Sequence, residues 1–283
     1  MENKKYARSG KFNSDLAAER RRADTGCVGV EFVREGAIIG EWERIRISSE
    51  EGEAEIGRPK GRYDTLNLPP MCELDYVDIE DAIDAVSAEL SRICELDRIT
   101  PHRILVIGMG NRELTPDAVG AKCAELIEPT LHIAKSDKEM FSALKCSEIA
   151  VLTPGVRCSS GVDTADIAGG LAERICPTLV IAVDSLAARS PKRLGTTIQF
   201  CDTGILPGSG VGSHERAIDE DLMGAPVIAI GVPTVIDSRL LVEGEGGPTE
   251  SSMLVCPKDI DGIVGVAAKI IAGGINQAFG LIY

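Results

Sequence analysis

Apolar residues recur along the chain in two rhythms. Beginning at residue 76, "YVDIEDAIDAVSAELSRICEL" spaces Ile79, Ile83, Val86, Leu90, Ile93 and Leu96 at helical intervals. Most of its Asp and Glu are left for the opposite side, which predicts an amphipathic surface helix. "HRILVIG" (102–108) then reads as a buried strand and "TPDAVGAKCAELI" (115–127) as a helix with Pro116 in its first turn. The alternation repeats through "SEIAVLTPG", "GVDTADIAGGLAERI" and "PTLVIAVDSL", followed by strands in "TTIQFCDTG" and "APVIAIGVPTVID" and an apolar helix from about 260 to 279. Strands of continuous Val, Ile and Leu separated by helical periods predict an α/β fold whose mostly parallel sheet is covered on both faces. In such folds ligands bind beyond the carboxyl ends of the strands.

The first 24 residues break this rhythm, being polar and basic, although "SDLAAERRRA" can form a short helix under a Ser14 or Asp15 cap. They read as an arm or a processed leader. From 27 to 66, "GAIIGEWERIRI" and "EAEIGRPKGRYDTL" alternate apolar and polar side chains with glycine punctuation, predicting a smaller β-rich portion that "LPPM" closes.

Composition narrows the class. A length of 283 residues, 44% hydrophobic, suits one large α/β domain or a main domain with an annex. The formal charge of -14 opposes general attraction to nucleic acid. Nine scattered cysteines with no CxxC pair indicate neither a disulfide framework nor a zinc knuckle, so a reducing compartment is expected. No signal-type or clean membrane-spanning segment is legible, so a cytoplasmic location is expected.

Several motifs compete for the chemistry. Gly108 and Gly110 in "VIGMGNRELTPDA" imitate a dinucleotide fingerprint, which would make the chain a nucleotide- or cofactor-binding α/β oxidoreductase. Glu113 stands at the offset of the third glycine, where it would repel a pyrophosphate, and a tight turn with close backbone approach accounts better for the glycines. "LPGSGVG" lacks the endings of a phosphate loop or a nucleophile elbow, and Ser209 is expected in a loop walling a cleft rather than as a nucleophile. His102, His132 and His214 stand far apart in no metal-binding spacing. Asp117 and Asp184 differ in kind, since both follow predicted strands at the ligand-binding end of the sheet. Each has two readings: a first-turn residue satisfying helix amides, or one of two carboxylates that meet and share a proton, one basic and one acidic.

At "AVLTPGVRCSSGVDTADI", "PTLVIAVDSLAARSPKRLGTTIQFCDTGILPGSGVG", "GAPVIAIGVPTVID", "GRYDTL", "TPDAVG" and "SDLAAE" the sequence resembles the germination protease (spore protease) family of endospore-forming firmicutes, atypical aspartic peptidases. The resemblance implies endoproteolysis of small acid-soluble spore proteins in the spore core, with Asp117 and Asp184 as the catalytic aspartates and no cofactor or metal. It implies a three-layer α/β/α sandwich similar to hydrogenase-maturation peptidases, assembled as a homotetramer. It also implies a zymogen that cuts itself between Asp15 and Leu16, making 1–15 a propeptide and 16–283 the peptidase domain.

The cleavage motif calls for a small apolar socket for Leu16 and for donors or cations facing the flanking carboxylates. Arg189, Lys192 and Arg193 are candidate suppliers, or ordinary solvated charges. Asp202 in "CDTG" is a secondary catalytic candidate. "RCSSGVDTADI" departs from the family pattern and puts Arg157, Cys158 and Ser159 in an expected active-site loop. A spore-protein binding module that does not cut is the remaining alternative.

Overall fold

Where apolar residues follow one another without alternation, the chain forms strands buried on both faces. The computed structural model describes residues 14–20, 28–208, 216–241 and 253–280. Among them, one sheet is built from β1 (Val30–Gly36), β2 (Glu41–Ile47), β3 (Gly61–Asn67), β4 (Arg103–Gly108), β5 (Glu148–Leu152), β6 (Leu179–Ala188), β7 (Thr197–Cys201), β8 (Val227–Asp237) and β9 (Leu254–Val255). The helices are α1 (Glu50–Ile56), α2 (Tyr76–Leu96), α3 (Val119–Glu125), α4 (Leu131–Ser136), α5 (Lys138–Leu144), α6 (Arg157–Ser160), α7 (Thr164–Ile175), α8 (Glu220–Met223) and α9 (Ile260–Phe279).

The sheet runs β1-β2-β3-β7-β8-β6-β4-β5, with β9 added beside β8. It is mixed, which corrects the expectation of a mostly parallel one. β5, β4, β6 and β8 pair in parallel, whereas β8–β7, β7–β3, β3–β2, β2–β1 and β8–β9 are antiparallel. The physical reason lies between β6 and β7. Residues 189–196 carry only a single 3-10 turn at Pro191–Arg193, too short a link for the crossover that a parallel return needs. Residues 28–66 therefore supply β1 to β3 of the antiparallel half of the same sheet, which β7 completes.

Within that region, "EAEI" is not strand but the end of α1. Ser49 accepts from the Gly52 N–H as N-cap, three glutamates occupy the first turn, and Gly57 ends the helix at φ +67°. The long predicted helix forms as α2, opened by a capping box in which Asp75 and Asp78 bond each other's backbone N–H.

Alternate residues of β6 serve opposite layers. Ile181 and Val183 join a core with Val86 and Leu90 of α2, Val119 of α3 and Ala267 and Ile271 of α9, while Val180 and Ala182 pack with Ala168 and Ala172 of α7. The chain is thus an α/β sandwich with helices on both faces. α9 has the length and apolarity of a membrane span, yet here it is a core helix, with Val264, Ile271 and Ile275 fully buried.

Candidate active site

Residues 14–20 are packed into the fold. Ser14 and Leu16 have no exposed surface, nor does Ala17. Leu16 sits in an apolar socket with Leu186, Ala188, Leu194 and Ile205, and Ala17 joins Ile45, Ile56, Tyr63, Cys201 and Ala229. The helical pattern of "DLAAE" closes only one 3-10 turn, Ala17–Glu19, whose N-cap is Leu16 without a side-chain bond, in place of the expected Ser14 or Asp15 cap.

Polar contacts hold this segment at every step. The Asp15 N–H donates to the Ala187 carbonyl (2.9 Å), and the Ala187 N–H donates back to Asp15 Oδ2 (2.9 Å). Arg58 Nη2 reaches Asp15 Oδ1 (3.3 Å) and the Ser14 carbonyl (3.2 Å). Gln199 Nε2 donates to the Asp15 carbonyl oxygen (3.2 Å), while its Oε1 accepts from the Ala17 N–H (2.8 Å). The Glu19 carboxylate accepts from the N–H groups of Arg189 and Ser190, both at 2.7 Å, and from Ser14 Oγ. An acid, a buried Leu, a buried Ala and a second acid are thus each met by a group of matching chemistry.

Beside Asp15 lies a cavity of about 30 Å³ whose lining includes Arg58, Tyr63, Leu186, Gln199 and Gly231 but neither Asp117 nor Asp184. Its volume is enough for a water molecule, with Asp15, Arg58 and Gln199 as polar groups in a wall that is otherwise largely apolar.

Strand register places Asp184 on this face. Gln199 of β7 is opposite Gly231 of β8, and Gly231 is opposite Asp184 of β6. Residues directly opposite one another point to the same side of a sheet, so the three form one row, with Gln199 and Asp184 backbones about 10 Å apart across two strand spacings. Gly231 carries no side chain in the middle of the row, and the Leu186 side chain packs over it. A Cβ there would lie 2.4 Å from Leu186 Cδ1, in the wall of the Leu16 socket. β6 continues to Ala188, so Asp184 stands within the strand, 5% exposed, and not at its exit as the apolar run suggested. Its Oδ1 accepts from the Ser185 N–H (2.8 Å).

The segment bearing Asp117 meets β6 on both sides of Asp184. The Met109 N–H donates to the Val183 carbonyl (2.9 Å), and the Val119 N–H to Ser185 Oγ (3.4 Å). Asp117 ends a 3-10 turn, Thr115–Asp117, that precedes α3, where a single helix was expected. Its Oδ2 accepts from the Asn111 N–H (2.8 Å), and burial raises its pKa against that bond. Gly110 is required here, at φ +90° and with a would-be Cβ 1.9 Å from the Asp117 carbonyl oxygen. The glycines that imitate a dinucleotide loop are therefore taken up by close backbone approach, and the Asn111 amide already serves a carboxylate.

The remaining candidates fall as follows. Arg189 contributes its backbone N–H to Glu19, and its side chain is exposed. Arg193 turns away to Glu43 (2.7 Å) and Asn67. Asp202 accepts from the Arg62 N–H (2.8 Å) and faces the Arg62 guanidinium (3.1 Å), at the end of β7. Arg157, Cys158 and Ser159 lie in the exposed single turn α6, where Arg157 pairs with Asp163 (2.7 Å). Ser209 and His214 lie outside the described residues. Arg58 and Gln199 escaped the sequence reading. A polar residue at an inward position of "TIQFC" was the available signal for Gln199, while Arg58 in "GRPKGR" looks like any solvated loop cation. Among the described residues, no three His, Cys, Asp or Glu side chains group to hold a metal.

A family model described as germination protease matches residues 14–244. The germination protease of Caldanaerobacter subterraneus subsp. tengcongensis is 33% identical over 94% of each chain. That of Clostridium perfringens is 32% identical over 83% of this chain and 82% of its own. That of Bacillus subtilis is 40% identical over 67% of this chain and 52% of its own. Among solved structures, the [NiFe] hydrogenase maturation protease HycI from Thermococcus kodakarensis KOD1 is 19% identical, with a TM-score of 0.37, over 64% of this chain and 99% of that one. That likeness is too low to bear on the fold.

Proposed function

Because the chain belongs to the germination protease family, it is a peptidase, and we propose that it is an endopeptidase of small acid-soluble spore proteins, made as a zymogen that cuts its own Asp15–Leu16 bond. The observation that carries this reading is the docked segment itself. The bond implied as scissile lies on a face that also carries Asp184, with complementary groups for the residues around it. A substrate protein with an acid, an apolar residue, Ala, a small residue and Glu in that order fits the same sites.

In this mechanism Asp117 and Asp184 work as a pair. Burial suits Asp117 to keep the proton that the leaving amine requires, and Asp184 takes the proton of the attacking water. The same reading places the enzyme in the cytoplasm of the spore core as a homotetramer, free of nucleic acid and membrane.

The test is self-processing followed by mass spectrometry. The parent chain loses residues 1–15, and Asp117→Asn and Asp184→Asn each keep them and fail on a peptide carrying Ser-Asp-Leu-Ala-Ala-Glu. Normal cutting by both variants would overturn the aspartate roles. A parent chain that binds the peptide and never cuts it is a binding module.

A further inference from the structure

Gln199 meets the cleavage segment on both sides of the Asp15–Leu16 bond. The orientation of its amide is not free, because the Ala17 N–H can only donate and the Asp15 carbonyl can only accept. Oε1 must therefore face Ala17 (2.8 Å) and Nε2 must face the Asp15 carbonyl oxygen (3.2 Å). The side chain is 6% exposed and rises from the middle of β7, held between Thr65 of β3 and Gly231 of β8, so it is fixed by the sheet rather than by the segment.

We propose that Gln199 is a catalytic residue of the peptidase reaction, with Nε2 stabilising the oxyanion that forms on the cleaved carbonyl and Oε1 setting the register of the bond. The proposal rests on the reading of Asp15–Leu16 as the scissile bond. In the addition step, the water oxygen bonds to the Asp15 carbonyl carbon, Asp184 takes a water proton, and the carbonyl π pair moves onto the oxygen that Nε2 faces. In the collapse step, the carbonyl re-forms, the bond to the Leu16 nitrogen breaks, and that nitrogen takes the proton held by Asp117. A donor fixed in place before charge develops needs no rearrangement in the transition state, and it acts from a buried, weakly screened position.

Two perturbations test the two ends of the amide. Gln199→Glu keeps the Oε1 acceptor but replaces the Nε2 donor with a negative oxygen. On the Ser-Asp-Leu-Ala-Ala-Glu peptide its kcat should fall about 10²- to 10³-fold, with KM changed far less. The ratio of variant to parent kcat should rise as pH falls and the new carboxyl regains a proton to donate, which a merely structural role would not produce.

The second perturbation leaves the protein untouched, and so also serves if the variant does not fold. A peptide with an ester oxygen in place of the N–H equivalent to Ala17 loses the bond to Oε1, so the parent enzyme should show a raised KM with kcat retained. A Gln199→Glu kcat within threefold of parent, or an ester peptide with unchanged KM, overturns the proposal. If the parent enzyme fails to cut between the Asp and the Leu at all, the reading of the scissile bond fails first.

Discussion

Glu19 is the test of whether the docked segment and a substrate share one set of sites. Its carboxylate accepts two backbone N–H groups at 2.7 Å, from Arg189 and Ser190, where the chain leaves β6. A hydrogen bond to a charged group contributes about 1.5 to 3 kcal/mol. Arg189 is exposed, so water can replace its partner, and the lower end applies to each bond. Removing both then costs about 3 kcal/mol, or roughly a hundredfold in binding at about 1.4 kcal/mol per tenfold. Replacing the final Glu of the Ser-Asp-Leu-Ala-Ala-Glu peptide by Ala should lower kcat/KM by that factor, mainly through KM. In the full chain, Glu19→Ala on an Asp184→Asn background should lower hydrogen-exchange protection of the Asp15 and Ala17 amides by a similar factor, since both are bonded only while the segment is docked. A peptide cut within threefold of its parent refutes the idea that residues 14–20 occupy the substrate site.

Two further outcomes concern the docked segment, and a third a buried carboxylate elsewhere in the sheet. Arg58→Gln should lower kcat/KM about tenfold more on a peptide with Asp before the cut than on one with Asn there, because the Arg58 guanidinium meets the Asp15 carboxylate (3.3 Å), whereas its bond to the Ser14 carbonyl (3.2 Å) is lost with either peptide. Self-processing should be first order, with the same rate constant over a hundredfold range of protein concentration, because the segment is seated on its own chain. Buried Asp64 faces Glu89, Arg44 and Arg92, and burial followed by the Glu89 charge pushes its pKa up to about 7. A folded pKa above the unfolded one gives stability that is complete in acid and lost as pH rises through about 7. The parent melting temperature should therefore fall from about pH 4, where the unfolded carboxyl ionises, to about pH 7 and level off above it, by roughly 2 to 4 °C for each kcal/mol, and that of Asp64→Asn should stay nearly flat.

The elements legible in the sequence are those whose pattern is decided locally. The helical spacing of Ile79 to Leu96 and the uninterrupted apolar runs of β4, β6 and β8 leave one solution each, and all of them form. α1 was misread because seven residues carry too few apolar positions to show a period, although Ser49 and the glutamates behind it were a cap signal. Asp184 was nominated for standing at the end of an apolar run, yet the strand continues for four residues beyond it, sheltered by small side chains at Ala187 and Ala188. The pairing of Arg58 and Gln199 with Asp15 is hidden for a different reason. What distinguishes them is their distance from Asp15, which lies 43 and 184 residues away in sequence.

The mixed topology explains why the site takes the form it does. β8 is parallel to β6 and antiparallel to β7, so it is the strand on which the sheet changes direction. The row Asp184, Gly231, Gln199 crosses that strand. In open α/β sheets, ligands gather where the strand order changes hand, because neighbouring connections diverge and leave a crevice. Here the divergence lies between the parallel half, which carries Asp184 inside β6 and Asp117 in the turn before α3, and the antiparallel half, which carries Gln199 and the apolar wall for Ala17. A wholly parallel sheet would put a covering crossover helix over β7, where residues 14–20 now lie. The short link after β6 thus does two things: it reverses the chain into β7, and through the N–H groups of Arg189 and Ser190 it holds the Glu19 end of the docked residues 14–20.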